Sequence, residues 1–264
     1  MRLIATGRNG SIGKLLPDSL PIYSRAESTQ SETLVELQSL NSKVLVHLAG
    51  ISNPKEIIKD DDQAVEVNFN WPLRLMDQFA AAGGETFVFV STSHVYGARP
   101  YGVACKELSE INPVSRYGVL KAEAELALSS SAKRHNIKFT SIRLFSVFGA
   151  GMAGHYLASR VRRVLEGVEE PSMVQNSEDI RDFSSPLQIA MKIEDIARMC
   201  DQGILPEVVN LGSGSGMSVR ERILKEIPFW PEAFFDGQMS QVPYLVADVS
   251  YLKSMESFEQ RPPS

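Results

Sequence analysis

The feature that most constrains this chain is an ordered alternation of short apolar runs with longer helix-patterned stretches, starting at the amino-terminal end. Arg2 to Thr6 (RLIAT) is an apolar run halted by Gly7. A run that short, closed by a turn-former, reads as a buried strand. Further strands are expected at Leu20 to Ser24, Lys43 to Leu48 (KVLVHL), Thr86 to Val90 (TFVFV) and Ile137 to Leu144. Helical patterns fall between them: Ile12 to Leu16, cut off by Pro17; Thr33 to Leu40; a stretch opened by Asn53-Pro54; Asn68 to Ala82, closed by Gly83-Gly84; and Ser115 to Arg134. Strands separated by helices in this way pair in parallel and are covered on both faces, which makes the chain an α/β protein. Beyond Gly149 the pattern thins. Helices are expected at His155 to Glu166, Glu194 to Gln202 and Val219 to Ile227, with a strand at Glu207 to Leu211. The tail from Pro228 is rich in Pro, Phe and Ser.

Composition narrows the function classes. With 43% hydrophobic and 22% charged residues, the chain is not a disordered one. Its 18 Gly and 14 Pro are scattered, so it is not a fibre. A net charge of −5 argues against a nucleic-acid partner, although a few local arginines suffice for a small anion. Cys105 and Cys200 lie far apart and form no CxxC pair, so neither a disulfide framework nor a metal site is expected. Met1 to Thr6 is too short for a signal-peptide core or a membrane span, which points to a cytoplasmic protein with reduced thiols and no membrane partner.

The first strand runs into Thr6-Gly7-Arg8-Asn9-Gly10-Ser11-Ile12-Gly13. Gly7 permits a tight turn, Gly10 a close approach of the backbone to a pyrophosphate, and Gly13 close packing of helix on strand. The N–H groups at the start of the helix face the phosphates. The same string alone describes any glycine-rich turn; its place at the head of the alternation is what argues for a dinucleotide. A free ribose 2′-hydroxyl calls for an acidic residue at the end of the second strand. The chain has Tyr23-Ser24-Arg25 there. A hydroxyl followed by a forked, permanently charged guanidinium suits a 2′-phosphate, with Arg8 as a second cation, so NADP is preferred over NAD.

Tyr117 and Lys121 stand at i and i+4, on one helix face. A neighbouring ammonium favours phenolate, so Lys121 is expected to lower the Tyr117 pKa and poise it for proton transfer. Thr92, in the string Val90-Ser91-Thr92-Ser93-His94-Val95-Tyr96-Gly97, lies at the carboxyl end of a parallel strand, where side chains face the ligand crevice. His94 reads as a polar loop residue or as a second acid/base. His47, inside an apolar strand, reads as packed, and Met76 and Phe79 as core. The basic Arg160, Arg162 and Arg163 read as a solvated helix face, and Asp60 to Asp62 as a solvated turn or helix end. Leu73, Leu120, Ala124 and Leu128 suit either a core or a homodimer helix pair.

Taken together the chain resembles the extended short-chain dehydrogenase/reductases of the NAD-dependent epimerase/dehydratase family, which act on nucleotide sugars. The matching strings run in the family's order: TGRNGSIG (6–13), VHLAG (46–50), VNFNWPLRLM (67–76), FVFVSTSHVYG (87–97), YGVLK (117–121), IRLFSVFGAGM (142–152), RDF (181–183), IEDIA (193–197) and VVNLGSG (208–214). The resemblance implies a Rossmann-type doubly wound parallel sheet over 1–150, rejoined by parts of 180–215, and a small substrate-binding domain over 151–264. It implies Tyr117 as acid/base, Lys121 as its partner and Thr92 as the hydroxyl residue. With the glycine loop (Gly7, Arg8, Gly10, Ser11, Ile12, Gly13), Ser24 and Arg25, it places Leu48, Ala49, Gly50, Phe145 and Val147, along with Tyr117 and Lys121, against the cofactor. Thr92, Ser93, His94, Ser146 and Arg181 are placed against a nucleotide-sugar substrate, Arg181 on its diphosphate.

The departures matter as much. Related dehydratases carry Asp-Glu where Ser93-His94 stand, which argues against dehydration. Many relatives have Asn at the position of Ser146. The expectation is therefore NAD(P)-dependent reduction or epimerisation at a keto carbon. A non-catalytic NAD(P)-binding sensor or scaffold, and a reductase of a non-sugar carbonyl, stay open as alternatives.

Overall fold

A computed structural model describes residues 3–7, 9–16, 22–23, 37–40, 42–204 and 206–259. In chain order its elements are β1 (Leu3–Thr6), β2 (Ile22–Tyr23), β3 (Val44–His47), α1 (Pro54–Lys59), α2 (Asp61–Val65), α3 (Trp71–Ala81), β4 (Thr86–Thr92), α4 (Arg116–His135), β5 (Lys138–Leu144), β6 (Ser146–Val147), α5 (Leu157–Leu165), β7 (Ile180–Ser184), α6 (Pro186–Asp201), β8 (Val208–Leu211), β9 (Gly216–Ser218), α7 (Val219–Glu226), β10 (Tyr244–Leu245) and α8 (Ser250–Glu259).

Side-chain alternation along the strands builds the two covered faces. In β4, Phe87 and Phe89 point to one side and Val88 and Val90 to the other, all buried. The first pair packs with Leu45 against Leu75, Met76 and Phe79 of α3 and Ala124 and Leu128 of α4. The second packs with Val44, Val46 and Ile142 against Ile189, Ile193 and Ile196 of α6. Each such apolar side chain contributes about 1.5–3 kcal/mol by leaving water. Leu120 is buried as well, so core packing accounts for three of the four apolar α3/α4 positions named above, and Leu73 is partly buried against the same core.

The six strands of this layer run parallel in the order β2-β1-β3-β4-β5-β8. β2 and β3 flank β1 on opposite sides, so the strand order reverses there and a crevice opens at the carboxyl ends. A second sheet, β10-β7-β6 with β9 antiparallel on β7, lies beyond it. Phe148, Val161, Ile223 and Trp230 form a separate core beside that sheet.

Four expectations change. The helix at 12–16 is a single 3-10 turn, Gly13–Leu15, and Leu16 is already extended at ψ 146°. The pre-proline position excludes helical geometry, which explains the early stop. The stretch at 68–82 is a π-helical segment, Glu66–Asn70, running into α3. α6 begins well before Glu194, because Ser185 and Gln188 cap each other's backbone N–H groups. The tail contributes a strand and a helix. Of the expected helix at 33–40, residues 37–40 are helical and the others lie outside the described residues.

Candidate active site

The carboxyl ends of β1, β3, β4 and β5 open onto one cavity of about 780 Å³. That lies in the range of small-molecule and cofactor sites. Gly7, Gly10, Ser11, Ile12 and Gly13 line one end, with Leu48 and Gly50 beside them. Thr92, Ser93, His94, Tyr117 and Lys121 line the middle, and Phe145, Ser146 and Val147 the opposite wall.

At the first end, Gly7 has φ +94°, and a Cβ there would stand 2.9 Å from the Ala49 nitrogen. The turn therefore presses backbone directly on backbone, and only glycine fits. Ala49 itself is buried and is not part of the cavity wall; its role is to support the turn. Gly10 N–H donates to Gly7 O at 2.9 Å, which tightens the loop. Thr6 Oγ1 and His47 Nδ1 lie 2.9 Å apart and tie β1 to β3 just below it. His47 is buried between Phe89 and Trp71, and burial holds it neutral. The exposed-backbone cradle fits a pyrophosphate. It does so without a helix dipole, because one 3-10 turn replaces the expected helix. Arg8, Ser24 and Arg25 lie outside the described residues.

The middle of the cavity depends on a close approach. A Cβ on Gly118 would meet His94 O at 2.7 Å, so the first turn of α4 lies directly on the 3-10 turn Ser93–Tyr96. Ser115 caps α4, its Oγ accepting from Gly118 N–H at 3.1 Å. This seats the Tyr117 phenol on the same stretch of cavity wall as the Thr92 hydroxyl. One turn on, Lys121 is 2% exposed; its Nζ donates to Val90 O at 2.7 Å and stands 3.7 Å from the centre of the Phe89 ring. Deeper in α4, Glu125 accepts from Arg143 of β5 at 2.7 Å. Arg143 also donates to Glu107 O and to the Tyr96 hydroxyl, which in turn donates to Asn210 of β8 at 2.6 Å. A buried polar network spanning α4, β5 and β8 thus backs the helix that carries Tyr117 and Lys121.

This corrects the expected ionisation. Tyr117 is pushed above the ordinary phenol value, first by burial and then by the neighbouring Tyr156 phenol, with the Thr92 hydroxyl opposing. Lys121 is not among the causes, because its ammonium is directed at Val90 O. Burial pulls Lys121 itself down to about 7, against the pull of Glu125. The i, i+4 spacing places the pair on one face, but the desolvated pocket sets the sign of the shift.

His94 is exposed on the cavity wall, with its ring edge-on to Tyr117 at 6.2 Å. Desolvation and the nearby Arg181 charge hold it near 4, so it is a neutral imidazole at pH 7. Arg181 does not line the cavity. It donates to Asp179 at 2.6 Å and to Ile180 O at 3.0 Å, an ion pair internal to the second sheet. In α5, Arg162 and Arg163 pair with Glu166 and Glu169, while Arg160 is partly buried and donates to Met173 O. Asp60 caps α2, and Asp61 holds Arg116 through two 2.7 Å bonds.

The sequence reading missed Ser91, Ser52, Tyr156 and Phe183, all on the cavity wall. Ser91 Oγ is buried without a hydrogen-bond partner. Its place beside Thr92 in β4 was a usable signal. Ser52 and Tyr156 are joined only by the fold. Among the described residues, no His, Cys, Asp and Glu cluster could hold a metal ion, and no helix is long and apolar enough to cross a membrane.

The sequence profile described as "NAD dependent epimerase/dehydratase family" matches residues 5–212. Among curated proteins, the chain is 28% identical over 170 residues to dTDP-6-deoxy-L-talose 4-dehydrogenase (NAD(P)(+)) of Kitasatospora kifunensis, covering 62% of this chain and 52% of that one. It is 28% identical over 190 residues to UDP-glucose 4-epimerase of Streptococcus mutans, covering 66% and 57%. The matched region thus spans little more than half of either relative. Among solved structures, dTDP-glucose 4,6-dehydratase of Streptomyces venezuelae, with NAD and TYD bound, superposes with a TM-score of 0.81 at 19% identity, over 100% of this chain and 92% of that one. That likeness is one of fold.

Proposed function

Because the chain belongs to the NAD-dependent epimerase/dehydratase family, we propose that it catalyses reversible hydride transfer at a keto or hydroxyl carbon of a nucleotide sugar, as a 4-ketoreductase or an epimerase. One observation carries this reading: Thr92 and Tyr117, with Lys121 one turn away, line the same cavity as the glycine turn. When bound, a nicotinamide dinucleotide takes up or delivers the hydride. The Gly7–Gly13 turn holds its pyrophosphate, and Leu48, Gly50, Phe145 and Val147 wall it from water. We assign NADP ahead of NAD on the basis of Ser24, Arg25 and Arg8.

In the reductive direction, Thr92 donates a hydrogen bond to the substrate oxygen, and Tyr117 passes its phenolic proton to that oxygen as negative charge grows there. A phenol held protonated by burial suits this step. Lys121 lies behind both, and we assign it to the cofactor ribose. Ser93, His94 and Ser146 contact the sugar, His94 as a neutral hydrogen-bond partner. Arg181 reaches the diphosphate only after leaving Asp179. With Ser93-His94 in place of two carboxyl groups, dehydration is not part of the proposal. We read the main sheet, with residues up to 150 and parts of 180–215, as the dinucleotide domain, and the second sheet with its helices as the substrate domain.

Tyr117→Phe tests the assignment. Turnover of dTDP-4-keto-6-deoxyglucose with NADPH, or interconversion of UDP-glucose, should fall about 10²–10⁴-fold. NADPH binding, followed by fluorescence, should be retained. A variant with full activity on either substrate would remove Tyr117 from the chemistry.

A further inference from the structure

The geometry points to Tyr156 as a positioning residue that, with Ser52, latches the turn at 153–156 across the dinucleotide groove; this rests on the dinucleotide reading above. Tyr156 immediately precedes α5, and Ser52 lies in the loop after β3. Their hydroxyls share a hydrogen bond across a separation of 104 residues in the chain. A second tie lies on the other side of the groove. Ala153 N–H donates to Ser11 Oγ at 2.9 Å, bridging 142 residues. The two ties belong to one rigid turn, because Tyr156 N–H donates to Ala153 O at 3.0 Å. The His155 ring lies on Tyr156 at 4.0 Å between centroids and braces the phenol.

The anchors are the loops that follow β1 and β3, the two strands flanking the point where the sheet order reverses. The turn is therefore fastened to both banks of the crevice. Ser11 connects the strap to the phosphate chemistry. Its oxygen accepts from Ala153 N–H, and its own proton stays available to a phosphate oxygen, since a hydroxyl donates and accepts at once. A bound pyrophosphate orients that hydroxyl and so strengthens the tie to the strap. Ser52 and Tyr156 close the opposite bank. Departure of the dinucleotide requires both ties to open.

The test uses the full chain loaded with NADPH, and separately with NADH. Release is followed by stopped-flow loss of protein-to-nicotinamide energy transfer during an excess chase of the oxidised nucleotide. Tyr156→Phe and Ser52→Ala should each speed release about tenfold, the effect expected of one lost hydrogen bond. The double variant should be no faster than either single one, since both remove the same bond. Ser52→Thr, which keeps a hydroxyl, should restore slow release. In the wild-type chain, hydrogen exchange at the Ala153 amide should slow when NADPH is added. Unchanged release in both variants, or unchanged Ala153 exchange in a chain that does bind NADPH, overturns the latch. A wild-type chain that binds neither nucleotide overturns the dinucleotide reading along with it.

Discussion

The two ends of the cavity are built differently. The Tyr117 end rests on α4, capped by Ser115, seated by Gly118 on the turn after β4, and bolted from below by Arg143–Glu125 and Tyr96–Asn210. The glycine end rests on the end of β1, one 3-10 turn and a backbone contact between Gly7 and Ala49. Proton transfer depends on side-chain placement within tenths of an ångström, and that end carries the long helix and the buried network. Phosphate binding depends on exposed N–H groups, which a short turn supplies.

The largest effect that would break this contrast is on stability. Arg143→Leu leaves the Glu125 carboxylate buried and unpaired, which typically costs about 3–5 kcal/mol. Thermal unfolding should drop by on the order of 10 °C. Adding Glu125→Leu should recover much of that loss. An unchanged melting temperature in the single variant would mean that the network does not anchor α4.

At the other end, Gly7→Ala should act mainly on binding. A methyl at φ +94° strains the backbone by roughly 1–2 kcal/mol and pushes on Ala49. NADPH affinity should fall at least tenfold by fluorescence titration, with a smaller change in melting temperature than Arg143→Leu produces. Equal losses in both measurements would erase the distinction between a binding end and a rigid end.

The remaining effect is a pH dependence. Lys121 has a folded value of about 7, against 10.5 ordinarily. Between those values the unfolded chain binds a proton that the folded chain lacks, so stability rises with pH across that window. Below about pH 7 the fold bears the full burial penalty of the ammonium. Lys121→Met should therefore gain most over the wild type at or below pH 7, and the gain should shrink steadily toward pH 10.5. A difference in melting temperature that is flat with pH would show that Lys121 titrates as an ordinary surface amine.

Legibility in the sequence follows the same division. The parallel layer was readable because β3, β4 and β5 are continuous apolar runs and α3 and α4 carry helix-period patterns. Thr92, Tyr117 and Lys121 came with them, since a strand end and an i, i+4 helix spacing are local properties. The sign of the Tyr117 shift was not local, because it depends on what surrounds the phenol and on where the Lys121 amine is directed. The start of α6 is written locally, in the reciprocal caps of Ser185 and Gln188. The second sheet was hidden for a different reason. Its strands, β6, β7, β9 and β10, come from distant parts of the chain, and several are only two or three residues long. Only tertiary pairing makes them strands at all. The Ser52–Tyr156 and Ser11–Ala153 contacts are of the same kind.

A single residue, Phe145, separates β5 from β6, so the backbone passes from one sheet to the other without a linker. That residue is also part of the cavity wall. A shift of one sheet against the other would bend the backbone at Phe145, within the wall of the cavity itself. Crossing point and cavity wall are therefore one mechanical part, and such a shift would reshape the cavity as well as the hinge.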